Sequence, residues 1–112
     1  MTLVDVGHMA LAREGPELLG RLGDSIAHVH LSDHEAFRHT NQVVGTGVTR
    51  TQEYLDALRR LDIDRRVRRF GYDEIVVSFE LGAPGDRITD ADDWVRRSIQ
   101  HVQQIAPYVT LV

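Results

Sequence analysis

The chain contains no cysteine and no lysine, and no apolar run in it approaches the roughly 20 residues that a membrane helix needs. Without cysteine there is no disulfide, no thiolate nucleophile and no zinc–thiolate site, which fits a cytoplasmic protein. Without lysine there is no Schiff base and no lysine general base. The N-terminus also lacks the basic and apolar regions of a secretory signal peptide.

What the chain does contain is ordinary for a folded domain. Its 112 residues have the length of one domain, 42% of them are hydrophobic and 27% are charged. The net charge of −4 does not favour attraction to nucleic acid or to an acidic membrane surface. We therefore expect a single domain over residues 1–112, with neither a membrane nor a nucleic acid as its partner.

Short apolar runs alternate with helical periodicities along the chain. The apolar runs predict three strands, at 2–6, 26–31 and 74–81. Apolar residues at helical spacing predict three helices, at 14–23, 51–61 and 90–106. Thr51 is a candidate N-cap, and the remaining segments are predicted to be loops (34–47 and 82–86) and an extended end (108–112). This order predicts an α/β fold with parallel strands joined by crossovers.

Six arginines lie close together, namely Arg59, Arg60, Arg65, Arg66, Arg68 and Arg69. One interpretation is a patch that binds phosphate or nucleic acid. The other is a solvated helix end with a polar connection, because arginine is favoured near a helix C-terminus. Asp62 and Asp64 interrupt the run and no aromatic platform accompanies it, so we favour the second interpretation.

The three predicted strands end in side chains that can bind a metal ion: Asp5 and His8, then His30 and Asp33, then Glu80. The carboxyl ends of parallel strands meet at one edge of a sheet, so these side chains are expected to converge. Carboxylates mixed with imidazoles suit Mg²⁺, Mn²⁺, Co²⁺ or Zn²⁺. His28 shares a face with His30 but lies two residues deeper, as a core or supporting residue would.

Each of these residues also has a simpler structural interpretation. Asp5 would cap a local turn, His8 would be a surface histidine, and one strand histidine would hydrogen-bond within the core. Glu80 is the hardest to explain in this way, because a carboxylate at the end of an apolar strand needs a cation or a hydrogen-bond donor.

Four motifs in order carry a resemblance to a known superfamily: Asp5-Val6-Gly7-His8, His28 to Asp33, Gly45-Thr46-Gly47 and Ser78-Phe79-Glu80-Leu81. They resemble successive strand ends of the xylose isomerase-like TIM-barrel superfamily. That group contains sugar and sugar-phosphate isomerases and epimerases as well as endonuclease-IV-type AP endonucleases. A full (β/α)₈ barrel needs roughly 200–250 residues, so the resemblance implies the carboxyl half of a TIM barrel.

The resemblance also implies roles for individual residues. Asp5, His30 and Glu80 would bind the divalent metal, and Glu80 and His8 would be catalytic. His8, Asp33 and Arg38 would contact a sugar or sugar phosphate, and no organic cofactor is expected.

The family's other catalytic glutamate, on an earlier strand, has no counterpart here. We therefore expect the chain alone to be inactive or weakly active. Pairing with a second copy, or with a separate amino-terminal half, would cover its open sheet edge.

Two other functions remain open. A metal-dependent phosphodiesterase of the AP-endonuclease kind would use His8, His34 and His39 as further zinc ligands and the arginines as contacts to the DNA backbone. The nuclease loop carries Asp-x-His where this chain has His39-Thr40-Asn41, so sugar chemistry ranks above DNA repair. The third possibility is a non-catalytic barrel half that serves as an assembly module.

Overall fold

The structure, a computed structural model, describes residues 1–82 and 91–110. Its strands within these ranges are β1 (Thr2–Asp5), β2 (Ile26–Leu31), β3 (Asp33–Glu35), β4 (Arg38–Gln42) and β5 (Val76–Phe79). Its α-helices there are α1 (Val6–Leu11), α2 (Glu17–Leu22), α3 (Thr51–Arg60), α4 (Ile63–Val67) and α5 (Ala91–Ile105). None of these helices combines the length and apolar character that crossing a membrane requires.

The centre of the fold is a three-stranded parallel sheet in the order β1-β2-β5, while β3 and β4 form a separate antiparallel hairpin. Single 3₁₀ turns precede β2, at Gly23–Ser25, and follow α4, at Arg68–Phe70. The chain is therefore a mixed α/β fold with a parallel sheet, as the alternation of apolar runs and helical periodicities predicts.

The two faces of this sheet have opposite characters. Val4, Val29 and Leu31 lie on the covered face and are at most 3% exposed. Register places Leu3, His28 and Val76 in one row of the other face, and Asp5, His30 and Ser78 in the next. Leu3 and Val76 are 53% and 51% exposed, so this second face is open. The polar strand ends therefore lie on the open face.

The core lies between the covered face and the helices. Each helix contributes apolar side chains to one buried cluster, including Met9 of α1, Leu19 of α2, Leu58 of α3, Val67 of α4 and Val102 of α5. Burying side chains of this size contributes about 1.5–3 kcal/mol each. This packing fixes the helices behind the sheet and holds the strand ends in place.

Helix α1 replaces the predicted end of the first strand. The Asp5 side chain caps this helix, because its Oδ1 accepts a hydrogen bond from the His8 backbone N–H at 2.9 Å. The strand therefore stops at Asp5, and the chain turns at once into a helix that carries His8. The cap interpretation of Asp5 was one of the alternatives left open by the sequence.

The loop predicted over 34–47 contains a hairpin instead. Strands β3 and β4 pair through Asp33 with Gln42 and Glu35 with Arg38, and Phe37 at the tip has a positive φ of 62°. The sequence does not predict these two strands because the stretch is polar. The pairing of β3 with β4 depends on side-chain contacts to the backbone rather than on an apolar face.

Other boundaries also shifted. Thr51 is the first residue of α3, and Arg50 is its N-cap residue. The strand predicted over 74–81 spans only Val76–Phe79. The end predicted to be extended forms a turn at residues 107–108. The predicted loop 82–86, apart from Gly82, and residues 111–112 lie outside the described residues.

Tyr108 ties the turn after α5 to α3, and this contact makes stability depend on pH. Its hydroxyl donates to Asp56 Oδ1 at 3.0 Å, and burial together with this hydrogen bond raises the pKa of Tyr108 to about 12. An unfolded tyrosine has a pKa of about 10. The folded chain thus keeps a proton that the unfolded chain loses, which stabilises the fold fully below pH 10.

We expect this stabilisation to be lost as the pH rises from about 10 to about 12. Urea unfolding of the natural chain and of Tyr108→Phe across this range measures it, because the variant lacks the titrating phenol. The stability difference between the two proteins should shrink with rising pH. A difference that stays constant from pH 9 to 11.5 would contradict this assignment.

Candidate metal centre

Asp5, His30 and Glu80 come from three adjacent strands and meet on the open face of the sheet. Asp5 at the end of β1 is in register with His30 of β2. His30 is in register with Ser78 of β5, and Glu80, two residues further along, returns to the same face. One oxygen or nitrogen atom from each of the three lies within 4.8 Å of the others. The structure thus brings together the three residues predicted as metal ligands.

The donor atoms of this cluster fit a divalent ion. His30 Nδ1 lies 3.4 Å from Glu80 Oε2. Asp5 accepts the His8 N–H at Oδ1, yet a carboxylate has about four lone-pair positions, so acceptor capacity remains. The side chains are 13% (Asp5), 30% (His30) and 44% (Glu80) exposed, and solvent reaches them. Two carboxylates and one imidazole suit Mn²⁺, Co²⁺, Zn²⁺ or Mg²⁺.

His28 lies below this cluster and supports it. Its Nε2 is 3.1 Å from Ser78 Oγ, and its ring meets that of His30 edge-on with centroids 5.2 Å apart. Burial, followed by the neighbouring His30, lowers the pKa of His28. The neutral ring of His28 therefore bridges β2 and β5. It lies two residues before His30 along β2, deeper in the sheet than the cluster.

A second cluster consists of His8 on α1, His34 on β3 and His39 on β4, whose ring nitrogens also come within 4.8 Å of one another. The rings stack, with centroids 5.8 Å apart for His8 and His34 and 4.9 Å apart for His34 and His39. His8 Nε2 lies 2.7 Å from His39 Nε2. The hairpin therefore brings His39 against His8, which is predicted to be catalytic and to contact the substrate.

His34 is a structural member of this second cluster. It is fully buried, and its Nδ1 accepts the backbone N–H groups of Thr40 and Asn41 at 3.0 Å each. The ring proton is therefore on Nε2, which donates to Ser32 Oγ at 3.1 Å. Burial, and then His39 and His8, lower the pKa of His34. Both ring nitrogens are engaged, so the neutral ring offers a metal no lone pair.

Asp33, predicted to contact the substrate, is fully buried. Its Oδ1 accepts the N–H groups of His34 and Thr49, and its Oδ2 accepts those of Gly45 and Gly47, all at 2.9–3.0 Å. The carboxylate organises the Gly-Thr-Gly loop around itself and offers no exposed atom to a ligand. We therefore assign Asp33 to the architecture of the loop rather than to the substrate.

Arg38, the other predicted substrate contact, is exposed near the tip of the hairpin. One guanidinium nitrogen, Nη1, lies 3.4 Å from Glu35 Oε2. Nearby, the Arg13 guanidinium is 5.5 Å from the ring of Phe37, which is 86% exposed. Arg38 is thus accessible and adjacent in sequence to His39, and its contact to substrate stays a prediction.

The chain was compared with protein families, curated proteins and solved structures. No protein-family model, curated protein or solved structure matches the chain. A function for the chain must therefore be inferred from the geometry of the two clusters, and the superfamily resemblance of the motifs stays a prediction.

Proposed function

We propose that the chain is a divalent-metal-dependent domain of the sugar isomerase or epimerase type. The observation that carries this proposal is the convergence of Asp5, His30 and Glu80 within 4.8 Å at the ends of three adjacent strands. These three residues would hold the ion. When bound, the ion would act as a Lewis acid and polarise a carbonyl oxygen of the substrate.

Glu80 is the group best placed to move a proton. It is the most exposed of the three ligands, and one of its oxygens lies 3.4 Å from His30 Nδ1. A carboxylate at this position can accept the proton from the carbon next to a carbonyl, provided that the carbon is held within hydrogen-bond reach. His8, oriented by Asp5 at 3.3 Å, would bind a substrate oxygen beside it.

The open face of the sheet supports the idea that this domain is the carboxyl half of a barrel. Leu3 and Val76 leave apolar surface exposed beside the polar cluster. In the proposed assembly a second copy, or a separate amino-terminal half, covers this surface. It also supplies the second base that returns the proton in an isomerisation.

The phosphodiesterase alternative loses support in two places. His34 has both ring nitrogens engaged and is unsuited to bind a further zinc ion. The arginine run is already paired in part, with Arg65 Nε 2.7 Å from Asp62 and Arg66 Nη1 3.0 Å from Asp24. These pairs favour the interpretation of the run as a solvated helix end.

The metal site is tested by calorimetric titration of Mn²⁺ into the natural chain and into Glu80→Gln. We expect one Mn²⁺ to bind the natural chain, and the variant, which keeps its shape but loses a charge, to bind at least about tenfold more weakly. Glu53→Gln, which removes an exposed carboxylate from α3, is the matched control and should bind as the natural chain does.

Equal affinities for the Glu80→Gln and control proteins, or no binding to either, would refute the site. A second readout with the same proteins addresses the reaction. Exchange of a substrate C–H with D₂O needs only one base, so an incomplete site still reports it. With Mn²⁺ and a panel of ketoses and ketose phosphates, exchange should occur with the natural chain and disappear with Glu80→Gln. Metal binding without any exchange would favour the non-catalytic module.

A further inference from the structure

Phe37, at the tip of the hairpin formed by β3 and β4, is the most exposed large apolar side chain in the described part of the chain, at 86%. Its backbone has a positive φ of 62°, a conformation that is strained for a bulky aromatic residue. The Arg13 guanidinium lies 5.5 Å from the centre of the Phe37 ring. Exposure and backbone strain at one tip residue indicate that this ring serves a contact outside the core of its own chain.

An apolar groove of about 470 Å³ opens beside β5, which is an edge strand of the sheet. Three buried side chains of α3 and α4 line it, namely Leu55, Leu58 and Ile63. Val76 of β5 and Tyr108 in the turn after α5 line it as well. An apolar cavity of about 150 Å³ already accommodates benzene, so the groove has room for an aromatic side chain and a group beside it.

The mouth of this groove is acidic. Its lining includes four carboxylates, Asp62, Asp64, Asp73 and Glu74, and one cation, Arg59. Asp62 already pairs with Arg65 at 2.7 Å. Asp73 and Glu74 are exposed and make no ion pair within residues 1–82 and 91–110. The groove therefore combines an apolar interior with negative charge at its mouth that no cation of the described chain neutralises.

The hairpin tip has the complementary chemistry. Arg13, which is stacked on the Phe37 ring, makes no ion pair among the described residues. Arg38, next to Phe37, has an exposed pair with Glu35 at 3.4 Å, and pairs of this kind are weak enough to exchange partners. An aromatic ring flanked by cations fits an apolar groove with an acidic mouth.

The tip and the groove lie at opposite edges of the parallel sheet. The hairpin begins at Asp33, just after the carboxyl end of β2, whereas Ile75 and Val76 line the groove at the amino end of β5. Because β2 and β5 are parallel, Phe37 lies away from the groove of its own chain. A contact between the tip and the groove therefore joins two copies, and it is head-to-tail because two different surfaces meet.

We propose that Phe37 of one copy inserts into the groove beside β5 of a second copy. The Arg13 guanidinium accompanies the ring and pairs with Asp73 or Glu74 at the mouth, while Tyr108 offers an aromatic partner inside. Each copy carries both halves of the contact, so copies join into a ring or a short filament. This contact differs from the pairing proposed for the open face of the sheet, and it does not depend on a metal ion.

Analytical ultracentrifugation of the natural chain from about 1 µM to about 1 mM measures this association, because the range covers weak contacts built on one aromatic anchor. We expect the average mass to rise with concentration. Phe37→Ala removes the anchor and should associate at least about tenfold more weakly. Val95→Ala is the matched control, since it trims an exposed apolar side chain of α5, and it should associate as the natural chain does. Circular dichroism checks that each protein is folded.

A mixing experiment tests whether the contact is head-to-tail. Glu74→Arg reverses a charge at the mouth of the groove and leaves the tip intact, whereas Phe37→Ala leaves the groove intact. Each variant alone should stay largely monomeric over the same range. Their equimolar mixture should form one-to-one dimers and nothing larger, because one working tip and one working groove remain.

The proposal is overturned if the natural chain stays monomeric up to about 1 mM, if Phe37→Ala associates as tightly as the natural chain, or if the mixture of variants stays monomeric. Association that is lost in Glu74→Arg but kept in Phe37→Ala would also overturn it, because another segment would then occupy the groove. Association that depends on Leu3 instead of Phe37 would assign the contact to the open face. Mn²⁺ should bind Phe37→Ala as it binds the natural chain, so this contact and the metal site fail separately.

Discussion

Replacing Asp33 with Asn is expected to lower the free energy of unfolding by roughly 3 kcal/mol or more. Asn keeps the shape of the side chain, but it removes the charge and turns one oxygen into an NH₂ group. Whichever way the amide is oriented, two of the four backbone N–H donors around Asp33 then face a donor instead of an acceptor. The hydrogen bonds to His34 and Thr49 are buried and those to Gly45 and Gly47 are part-buried, so water replaces the lost bonds poorly.

The matched control is Asp24→Asn. Asp24 makes ion pairs with Arg66 at 3.0 Å and Arg69 at 3.6 Å, but its side chain is 59% exposed. Exposed pairs of this kind contribute about 0–1 kcal/mol, so this variant should lose no more than that. Urea unfolding followed by circular dichroism measures both variants. Equal losses would mean that Asp33 does not hold the loop in the way its hydrogen bonds indicate.

Asp33 also shows where reasoning from the sequence reached its limit. A carboxylate directly after a buried strand is predicted to belong to an active site, because active sites of α/β proteins lie at such positions. The partners that give it a structural role, Gly45 and Gly47, are 12 and 14 residues away. The glycine-rich loop that contains Gly45 and Gly47 is visible in the sequence. Nothing in the sequence, however, indicates which carboxylate the backbone N–H groups of this loop bind.

The part of the site that the sequence predicted depends on a general rule about parallel sheets. Asp5, His30 and Glu80 are far apart in sequence, yet each lies at or next to the end of an apolar run, and the ends of parallel strands share one edge. The bounds of β2 agreed with the prediction because Ile26–Leu31 is apolar on one face and flanked by polar residues. Local pattern was sufficient for β2, whereas it missed α4, whose Ile63 and Val67 are buried in the core although arginines surround them in sequence.

The His8–His39 contact could not be derived in this way. It requires helix α1, which the Asp5 cap creates, and the hairpin, which His34 stabilises by accepting two backbone N–H groups. Both features arise from single side chains that bind the backbone, and neither has a hydrophobic periodicity. The superfamily resemblance groups the three histidines together, whereas the geometry separates the accessible pair His8 and His39 from the buried ring of His34.

The same substitution, glycine to alanine, is expected to have opposite effects in α1 and α2. At Gly7 in α1, an added Cβ would collide with Ser32 Oγ and would lie 2.6 Å from His34 Nε2. Neither neighbour can give way, because both are fully buried and bonded to each other at 3.1 Å. Overpacking of this kind costs about 1–3 kcal/mol, and we expect the upper part of that range.

At Gly20 in α2, an added Cβ would meet nothing within 4 Å, and the residue is exposed. Alanine there should stabilise the chain by about 0.5–1 kcal/mol, because it has the higher helix propensity and restricts the unfolded chain. Thermal and urea unfolding of the two variants measure the contrast. A gain at Gly7 would show that α1 does not pack on Ser32 and His34 as described, and a loss at Gly20 would contradict the open space around that residue.

Gly7→Ala also reports on how the metal centre is held. Helix α1 starts at the Asp5 cap and carries His8, so pushing it away from Ser32 should disturb both residues while leaving His30 on β2 and Glu80 just after β5. We expect Mn²⁺ to bind Gly7→Ala several-fold more weakly and Gly20→Ala unchanged, at a temperature where both are folded. Unchanged Mn²⁺ affinity in a destabilised Gly7→Ala would mean that β1 alone, and not the packing of α1, positions Asp5.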